Sequence, residues 1–283
     1  MTARPQDREA LALGRRLRQQ APGGRLLSST QMLTPLDWFV LRPGRHHDLS
    51  ALLSAAKTRQ PRGLVFDAEN AASVADWFER QPQPEWSPDM ESVEGLARRS
   101  GWIASGFHGE PSMALEVVGI TGTNGKSSVV HGLAEGLARL GRRTASIGTL
   151  GVFSFKGAAD PTLPVDRHGL QGPGLTSLDP VELHEVLARL RDQGVQWVFL
   201  EASSIGLEQG RLEGCRLVAA GITNLSHEHL DVHGTMPAYA SAKALLPACF
   251  GVQVVVAMER LRLAQDQSSQ ILARAVDASP KPI

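Results

Sequence analysis

VVGITGTNGKSSVVHGL, residues Val117–Leu133, joins an apolar run to a glycine-rich turn, a lysine, two serines and a second apolar run. Glycines let backbone N–H groups turn toward an anion, and the first turn of a helix adds partial positive charge. Lys126 supplies a full charge, and Ser127 a hydroxyl that can bind Mg²⁺. The pattern predicts a phosphate-binding loop, although the first glycine of the usual loop would fall at Ile120. A plain strand-to-helix turn is the alternative, because glycine-rich turns often precede helices.

Strands and helices alternate regularly from Leu115 onward. Asp179 can cap the helix that precedes the strand ending at Glu201. The alternation predicts an α/β fold with a mostly parallel, doubly wound sheet. Ligands of such sheets bind beyond the carboxyl ends of the strands, which selects the loop, Glu201 and Asn224. Glu201 fits the acidic Mg²⁺ partner of a phosphate loop, and equally an ordinary surface carboxylate at a strand end.

The residues before the loop predict a separate, small α/β domain. We expect a helix over the first twenty residues and short strands over Asp37–Leu41 and Gly63–Ala68. The stretch QPQPEWSPDM, residues 81–90, is typical of a proline-rich loop, and residues 106–113 of a linker. The predicted domains are therefore 1–106 and 107–283, and the phosphate loop lies in the second.

Charge and cysteine content exclude several classes of protein. Lysine plus arginine and aspartate plus glutamate both number 29, so net charge gives no reason to expect nucleic acid or a membrane surface as a partner. The two cysteines form neither a metal-spaced pair nor a disulfide framework. The N-terminus lacks the apolar segment of a signal peptide, and no apolar run could span a bilayer. We expect a monomeric cytoplasmic protein.

Three stretches, in this order, resemble the Mur ligases: GITGTNGKSS, LEASSIGLEQGRLEG and ITNLSHEHLDVHGTMPAYASAKALL. Within that family they are most similar to the branch that adds the third residue of the peptidoglycan stem peptide, the UDP-N-acetylmuramoyl-tripeptide synthetases. The resemblance runs from about Leu115 to Leu246. Folylpolyglutamate synthetases and cyanophycin synthetase share the phosphate loop, but the stretch DVHGTMPAYASAK fits them less well.

The resemblance implies an ATP-dependent carbon–nitrogen ligase of peptidoglycan and cell-wall synthesis, on which cell shape and division depend. ATP would phosphorylate the carboxylate of a UDP-MurNAc-peptide, and the amine of an amino acid would attack the acyl phosphate. The implied cofactors are ATP and Mg²⁺. Positioning and charge neutralisation carry such chemistry, because several anions must be brought together.

The resemblance also implies roles for individual residues. The implied catalytic residues are Lys126, Lys243 and His229. The implied contacts of the ATP phosphates are Gly122, Thr123, Asn124, Gly125, Lys126, Ser127 and Ser128. The implied contacts of the peptide substrate are Thr176, Ser177, Ser203, Gln209 and Arg211. The implied Mg²⁺ ligands are Ser127, Glu201, His229 and, if carbamylated, Lys243.

Several of these residues also have an ordinary interpretation. Carbamylation needs a neutral amine, so the site must lower the pKa of Lys243. Without the resemblance, Lys243 would be interpreted as a solvated helix lysine. Arg211 can grip a carboxylate or phosphate with two N–H groups, or simply form a surface ion pair. For His227 and His233 a structural or solvated role is favoured.

The chain departs from the family pattern at four places. The family's Ser-Ser-His reads Ser203-Ser204-Ile205, and Thr-Thr-Pro reads Thr176-Ser177-Leu178. The uridine-binding Asp-Ser-Arg motif aligns only with Ser29-Thr30-Gln31. The C-terminal ligase domain is expected to be absent, with room for one strand and one helix after Phe250.

These departures leave a second hypothesis open, a truncated or paralogous protein that binds ATP without complete ligase activity. A third hypothesis, a phosphate-loop kinase or other ATPase, is disfavoured by the substrate motifs.

Overall fold

The computed structural model describes residues 4–43, 48–81, 86–156, 176–249 and 254–257. These residues form two sheets, each with its own helices. None of the helices in these ranges is long and apolar enough to cross a lipid bilayer.

The first sheet has four parallel strands in chain order. Its strands are β1 (Leu26–Leu27), β2 (Trp38–Leu41), β3 (Gly63–Asp67) and β4 (Asp89–Val93). The accompanying helices are α1 (Pro5–Gln20), α2 (Leu49–Arg59), α3 (Ala71–Glu79) and α4 (Leu96–Phe107). All four residues of β2 are buried, as expected for a strand of a parallel sheet that is covered on both faces.

The second sheet has six strands in the order β10-β9-β5-β8-β6-β7. Its strands are β5 (Glu116–Thr121), β6 (Arg143–Gly148), β7 (Gly151–Lys156), β8 (Trp197–Glu201), β9 (Ala219–Ile222) and β10 (Val254–Ala257). Its helices are α5 (Lys126–Arg139), α6 (Pro180–Asp192), α7 (Ser204–Glu208), α8 (Leu230–His233) and α9 (Met236–Cys249). Every neighbouring pair is parallel except β6 and β7. The predicted mostly parallel α/β fold is confirmed.

Apolar clusters cover both faces of this sheet. On one face α6 and α9 pack through residues such as Leu187 and Leu246. On the other face α5 packs through Val130, Ala134 and Ala138. The helix α6 begins as predicted, since the Asp179 carboxylate accepts a hydrogen bond from Val181 N. Because helices cover both faces of this sheet, the carboxyl ends of its strands are the place where a ligand can bind.

Helices α4 and α6 pack together and join the two sheets. Val181 of α6 belongs to the apolar cluster of the first sheet. Arg42, just after β2, lies 2.8 Å from the Asp179 carboxylate and donates to Ser100 Oγ. Trp102 Nε1 donates to the Glu213 carboxylate at 3.1 Å. The interface is therefore apolar at α4 and α6, with polar contacts around it.

Two segments differ from the sequence-based expectation. The last two residues predicted as a proline-rich loop, Asp89 and Met90, begin strand β4, and residues 82–85 of that prediction lie outside the described residues. Pairing with β3 stabilises this strand, whose own composition favours strand formation weakly. The predicted linker 106–113 is ordered, because α4 extends to Phe107 and a short 3₁₀ turn spans Pro111–Met113.

The prediction of one strand after Phe250 is confirmed by β10. The predicted helix after it lies outside the described residues. The domain boundary between residues 106 and 107 stays a prediction.

Candidate functional site

The predicted phosphate loop connects β5 to α5 at the carboxyl end of β5 in the second sheet. Gly122 has a φ of +142°, and a Cβ atom there would lie 1.9 Å from Thr223 Oγ1. Gly125 immediately precedes α5 with a φ of +82°. Both positions need glycine for their backbone conformation, and Gly122 also for space. The loop therefore has the backbone that the sequence predicts for anion binding.

The residues that follow β9 hold the loop in place. Thr123 N donates to Asn224 O at 2.9 Å, and Asn124 N donates to Asn224 Oδ1 at 3.0 Å. In return, Thr223 Oγ1 and Asn224 Nδ2 donate to Asn124 O at 2.7 and 2.9 Å. Asn224, which follows β9 at the end where ligands are expected, thus positions the loop through three of these hydrogen bonds, and Thr223 forms the fourth.

Lys126 folds back over the loop. Its Nζ donates to Gly122 O at 3.0 Å and to Thr123 O at 2.8 Å. Burial lowers the pKa of Lys126, while the carboxylates of Glu201 and Glu228 oppose that shift. The ammonium group is thus placed at the loop, where phosphate oxygens would meet it.

Glu201 is the last residue of β8 and is 4% exposed, so it is no ordinary surface carboxylate. Thr149 N donates to Glu201 Oε1 at 3.0 Å, and Thr149 Oγ1 donates to Glu201 Oε2 at 3.1 Å. The neighbouring Gly148 leaves room for this approach, because a Cβ there would lie 2.0 Å from Glu201 Oε1. Sequence reasoning did not find Thr149, which lies in a short turn without a motif of its own.

Lys243 lies in α9 and is 1% exposed, which excludes the solvated-lysine interpretation. Its Nζ donates to Gly122 O at 2.8 Å and lies 4.2 Å from the centre of the Tyr239 ring. Burial is the main cause that lowers the pKa of Lys243 to about 7, the charge of Lys126 adds to it, and Glu228 opposes it. The amine therefore lies between the phosphate loop and an aromatic ring, and is partly neutral at neutral pH.

Tyr239 connects this lysine to the loop, a role that the sequence analysis missed. Its hydroxyl lies 3.2 Å from Thr123 Oγ1, and its ring centre lies 6.0 Å from that of His229 and 5.2 Å from that of His233. The four-residue spacing between Tyr239 and Lys243 places them on one helix face, which was the available signal.

His229 and His233 have different surroundings. His229 has a positive φ of 55°, and its side chain is 45% exposed, with Nε2 3.9 Å from a Glu228 carboxylate oxygen. His233 has a side chain that is 1% exposed, with Nε2 3.0 Å from Ser204 Oγ and Nδ1 3.3 Å from the Glu208 carboxylate. These contacts fit the structural role favoured for His233 and leave His229 accessible.

The predicted peptide-substrate residues lie together beside Glu201. Ser177 Oγ lies 3.1 Å from Ser203 Oγ and accepts a hydrogen bond from Ser203 N. Arg211 donates to Ser177 O at 2.7 Å and to Gln209 Oε1 at 2.8 Å. Thr149 Oγ1 lies 3.3 Å from the hydroxyl of the fifth member, Thr176. The structure therefore places this group beside Glu201 and Thr149.

Hydrogen bonds to Asp37 stabilise the loop that contains Ser29-Thr30-Gln31, the residues aligned with the uridine-binding motif. The buried Asp37 carboxylate accepts hydrogen bonds from Arg25 N and Nη2 and from Thr34 N and Oγ1. Burial opposes these contacts, which together keep the pKa of Asp37 below its usual value. Ser29 contributes to a cavity of about 20 Å³ that Glu182 and Glu185 also line. That volume holds about one water molecule.

Mg²⁺ prefers oxygen ligands. In nucleotide sites it usually binds to one or two protein oxygens and to phosphate oxygens of the nucleotide, rather than to a complete set of protein ligands. Ser127, in the first turn of α5, and the buried Glu201 supply such oxygens. Within the described ranges, no three His, Cys, Asp or Glu side chains form a metal-binding cluster. The donors fit Mg²⁺ shared with nucleotide phosphates, and the individual ligand roles, including that of His229, stay predictions.

The sequence of this chain is similar to a known protein family and to individual proteins. A family profile described as the Mur ligase middle domain matches residues 120–275, more than half of the chain. A UDP-N-acetylmuramoyl-L-alanyl-D-glutamate--2,6-diaminopimelate ligase from Ectopseudomonas mendocina (strain ymp) is 39% identical over 78% of this chain and 41% of the relative. The ligase of that name from Xanthomonas campestris pv. campestris (strain 8004) is 44% identical over 69% of this chain and 38% of the relative. The chain thus spans about two fifths of the length of these relatives.

Solved structures share the fold. A structure of a UDP-N-acetylmuramoyl-L-alanyl-D-glutamate--2,6-diaminopimelate ligase matches with a TM-score of 0.67 at 24% identity, over 92% of this chain and 47% of that chain. The MurF ligase from Thermotoga maritima in complex with ADP matches with a TM-score of 0.56 at 14% identity, over 91% of this chain and 49% of that one. These structures share the fold, and the profile match over residues 120–275 shows that the chain belongs to the Mur ligase family.

Proposed function

We propose that this chain carries the ATP-binding and acyl-substrate-binding part of an ATP-dependent amide ligase of peptidoglycan precursor synthesis. One observation supports this most strongly: Lys243 is buried against the phosphate loop, with Nζ 2.8 Å from Gly122 O and a pKa of about 7. A neutral amine can attack CO₂ and lose one proton, which leaves a carbamate anion. Lys243 would then offer oxygen ligands instead of a positive charge.

Each group of residues has a task in this proposal. The backbone of residues 122–128 binds the ATP phosphates, and Lys126 orients them. Ser127, Glu201, His229 and carbamylated Lys243 hold Mg²⁺, which when bound neutralises phosphate charge. Ser177, Ser203 and Arg211 bind the acyl substrate, with Thr176 and Gln209 beside them.

The reaction is a phosphoryl transfer followed by an acyl transfer. A carboxylate oxygen of a UDP-MurNAc-peptide attacks the γ-phosphorus, and the bond from that phosphorus to the ADP oxygen breaks. An amino-acid amine then attacks the acyl carbon, phosphate leaves, and the amine loses a proton. The printed names of the relatives support 2,6-diaminopimelate as this amino acid. We place the reaction in the cytoplasm, on a monomer.

Trapping of the acyl phosphate tests this function without any incoming amino acid. The chain is incubated with UDP-MurNAc-L-alanyl-D-glutamate, ATP, Mg²⁺ and hydroxylamine, and hydroxamate and ADP are measured together. We expect both products in equal amounts, and neither from Lys126→Ala. Arg139→Ala, an exposed change at the far end of α5, is the matched control and retains both products. Absence of hydroxamate from a chain that binds ATP contradicts the ligase proposal.

A second candidate function is ATP binding without acyl-phosphate formation. It is favoured by Ser29-Thr30-Gln31, which departs from the uridine-binding Asp-Ser-Arg motif, and by the Glu182 and Glu185 carboxylates that line the cavity at Ser29. This function predicts that Mg²⁺–ATP raises the melting temperature while hydroxamate stays absent. Failure of ATP to change the melting temperature would contradict both functions.

A further inference from the structure

The turn between β6 and β7 places Thr149 over the end of β8. Both oxygens of the Glu201 carboxylate receive a hydrogen bond from this one residue, at 3.0 and 3.1 Å. Two such contacts fix the rotation of the carboxylate as well as its position. An ionised carboxylate accepts at about four lone-pair sites, so the remaining sites are available to a metal ion.

The Thr149 hydroxyl also lies 3.3 Å from Thr176 Oγ1. In both contacts Thr149 Oγ1 is the donor, and a hydroxyl carries a single proton, so Glu201 and Thr176 compete for it. Thr176 belongs to the predicted substrate group and Glu201 to the predicted Mg²⁺ ligands, so this shared proton connects the two groups.

We propose that Thr149 is a positioning residue that orients Glu201 toward Mg²⁺ and links its position to the substrate-binding Thr176. This inference rests on the proposed function, because it assumes that Glu201 is a Mg²⁺ ligand. The hydroxyl is the necessary feature, since the backbone N–H is present whatever the side chain is. Gly148 contributes by allowing the turn to approach the carboxylate.

The test measures the Mg²⁺ concentration that gives half-maximal binding of ATP, by calorimetry at a series of Mg²⁺ concentrations. Thr149→Val keeps the shape of the side chain and removes the hydroxyl, and Thr149→Ser keeps the hydroxyl. We expect Thr149→Val to raise this concentration about tenfold, which corresponds to about 1.4 kcal/mol, because the carboxylate loses one charge-assisted hydrogen bond. Thr149→Ser stays within about twofold of the original chain.

Thr144→Val is the matched control. Thr144 lies on β6, is fully buried, and donates to Ala134 O at 2.7 Å, away from the site. It is expected to lower stability without changing the Mg²⁺ requirement. A rise in the Mg²⁺ requirement equal to that of Thr149→Val would show that general destabilisation is the cause, and would overturn the proposal.

A double-mutant cycle tests the link to Thr176. If Thr176 and Glu201 compete for the Thr149 proton, Thr176→Val lowers the Mg²⁺ requirement of the original chain and has no effect on top of Thr149→Val. Additive effects overturn the link. An unchanged Mg²⁺ requirement in Thr149→Val overturns the role of Thr149 alone, whereas an original chain that binds no Mg²⁺–ATP contradicts the proposed function as well.

Discussion

Lys243 shows what burial does to a single ionisable residue. Its pKa of about 7 means that the folded chain releases a proton that the unfolded chain retains up to about pH 10.5. Between these values the unfolded state binds more protons, so stability rises with pH. Below pH 7 both states are protonated and the cost of burying the ammonium group is greatest.

Lys243→Met should therefore stabilise the chain more at pH 7 than at pH 9. The difference in unfolding free energy between variant and original is expected to shrink by about 1 kcal/mol per pH unit over this interval. Urea denaturation in CO₂-free buffer measures it, because carbamylation would otherwise add its own pH dependence. A difference that is constant with pH would show that Lys243 has an ordinary pKa in the folded chain.

Residues with a motif were predictable, and their supports were not. The spacing around Gly125 and Lys126 indicates the loop because backbone geometry and charge recur together in such loops. Thr149 and Tyr239 act through contacts with residues distant in sequence, and threonine and tyrosine are common everywhere. The burial of Glu201 and Lys243, which excludes their ordinary interpretations, also depends on packing that one sequence does not display.

Helix α5 tests stability at the scale of an element. Gly132 and Gly136 lie on its exposed side, and a Cβ atom at either would meet nothing within 4 Å. Glycine in a helix interior is less stable than alanine by about 0.5–1 kcal/mol. Gly132→Ala and Gly136→Ala should each raise the unfolding free energy by about this amount, measured by urea denaturation.

Gly101→Ala in α4 is the matched comparison, because its Cβ would lie 2.2 Å from Glu213 O. It should destabilise the chain despite the same gain in helix propensity. If Gly132→Ala destabilises the chain as well, helix propensity does not determine the stability of α5.

At this scale, the periodic helices and the apolar strands were predictable, and strands β4 and β7 were not. Leu183, Val186, Leu187 and Leu190 repeat at helical spacing and face the core in α6, as expected. Strand β4 and the antiparallel β7 depend on their neighbours, β3 and β6, for their hydrogen bonds. Strand β4, with the sequence DMESV, has one β-branched residue of its own and gives little signal in the sequence.

At the scale of the whole molecule, two histidines lie near the junction of α4 and α6. His184 of α6 is fully buried, with Nε2 donating to Glu213 O at 3.0 Å. His108, at the end of α4, has a buried Nε2. Within the described residues, neither His184 Nδ1 nor His108 Nε2 has a hydrogen-bond partner. Protonation of either ring would place a charge where nothing described accepts it.

Acid should therefore weaken the folded chain through these residues. Burial lowers the pKa of His184 to about 4, opposed by its bond to Glu213 O. Burial also lowers the pKa of His108 to about 3, aided by the charges of His184 and of Arg18, Arg191 and Arg189. Because both pKa values lie below 6.5, the unfolded state binds more protons as pH falls below that value. The contribution of the two neutral rings to stability is therefore complete above pH 6.5, and it is lost as pH falls from 6.5 toward 4 and below.

The variant His184→Leu isolates this effect through the slope of unfolding free energy against pH. The loss of the hydrogen bond to Glu213 O lowers that free energy by the same amount at every pH, so it does not change the slope. Between pH 6.5 and 4.5, the original chain should lose about 2 kcal/mol more unfolding free energy than the variant. Urea denaturation at several pH values measures both slopes. His108→Leu should flatten the slope in the same direction, and the double variant most of all. Equal slopes in all four proteins would mean that both rings have the same pKa in the folded and unfolded chain. That result would contradict the conclusion that burial between α4 and α6 keeps them neutral.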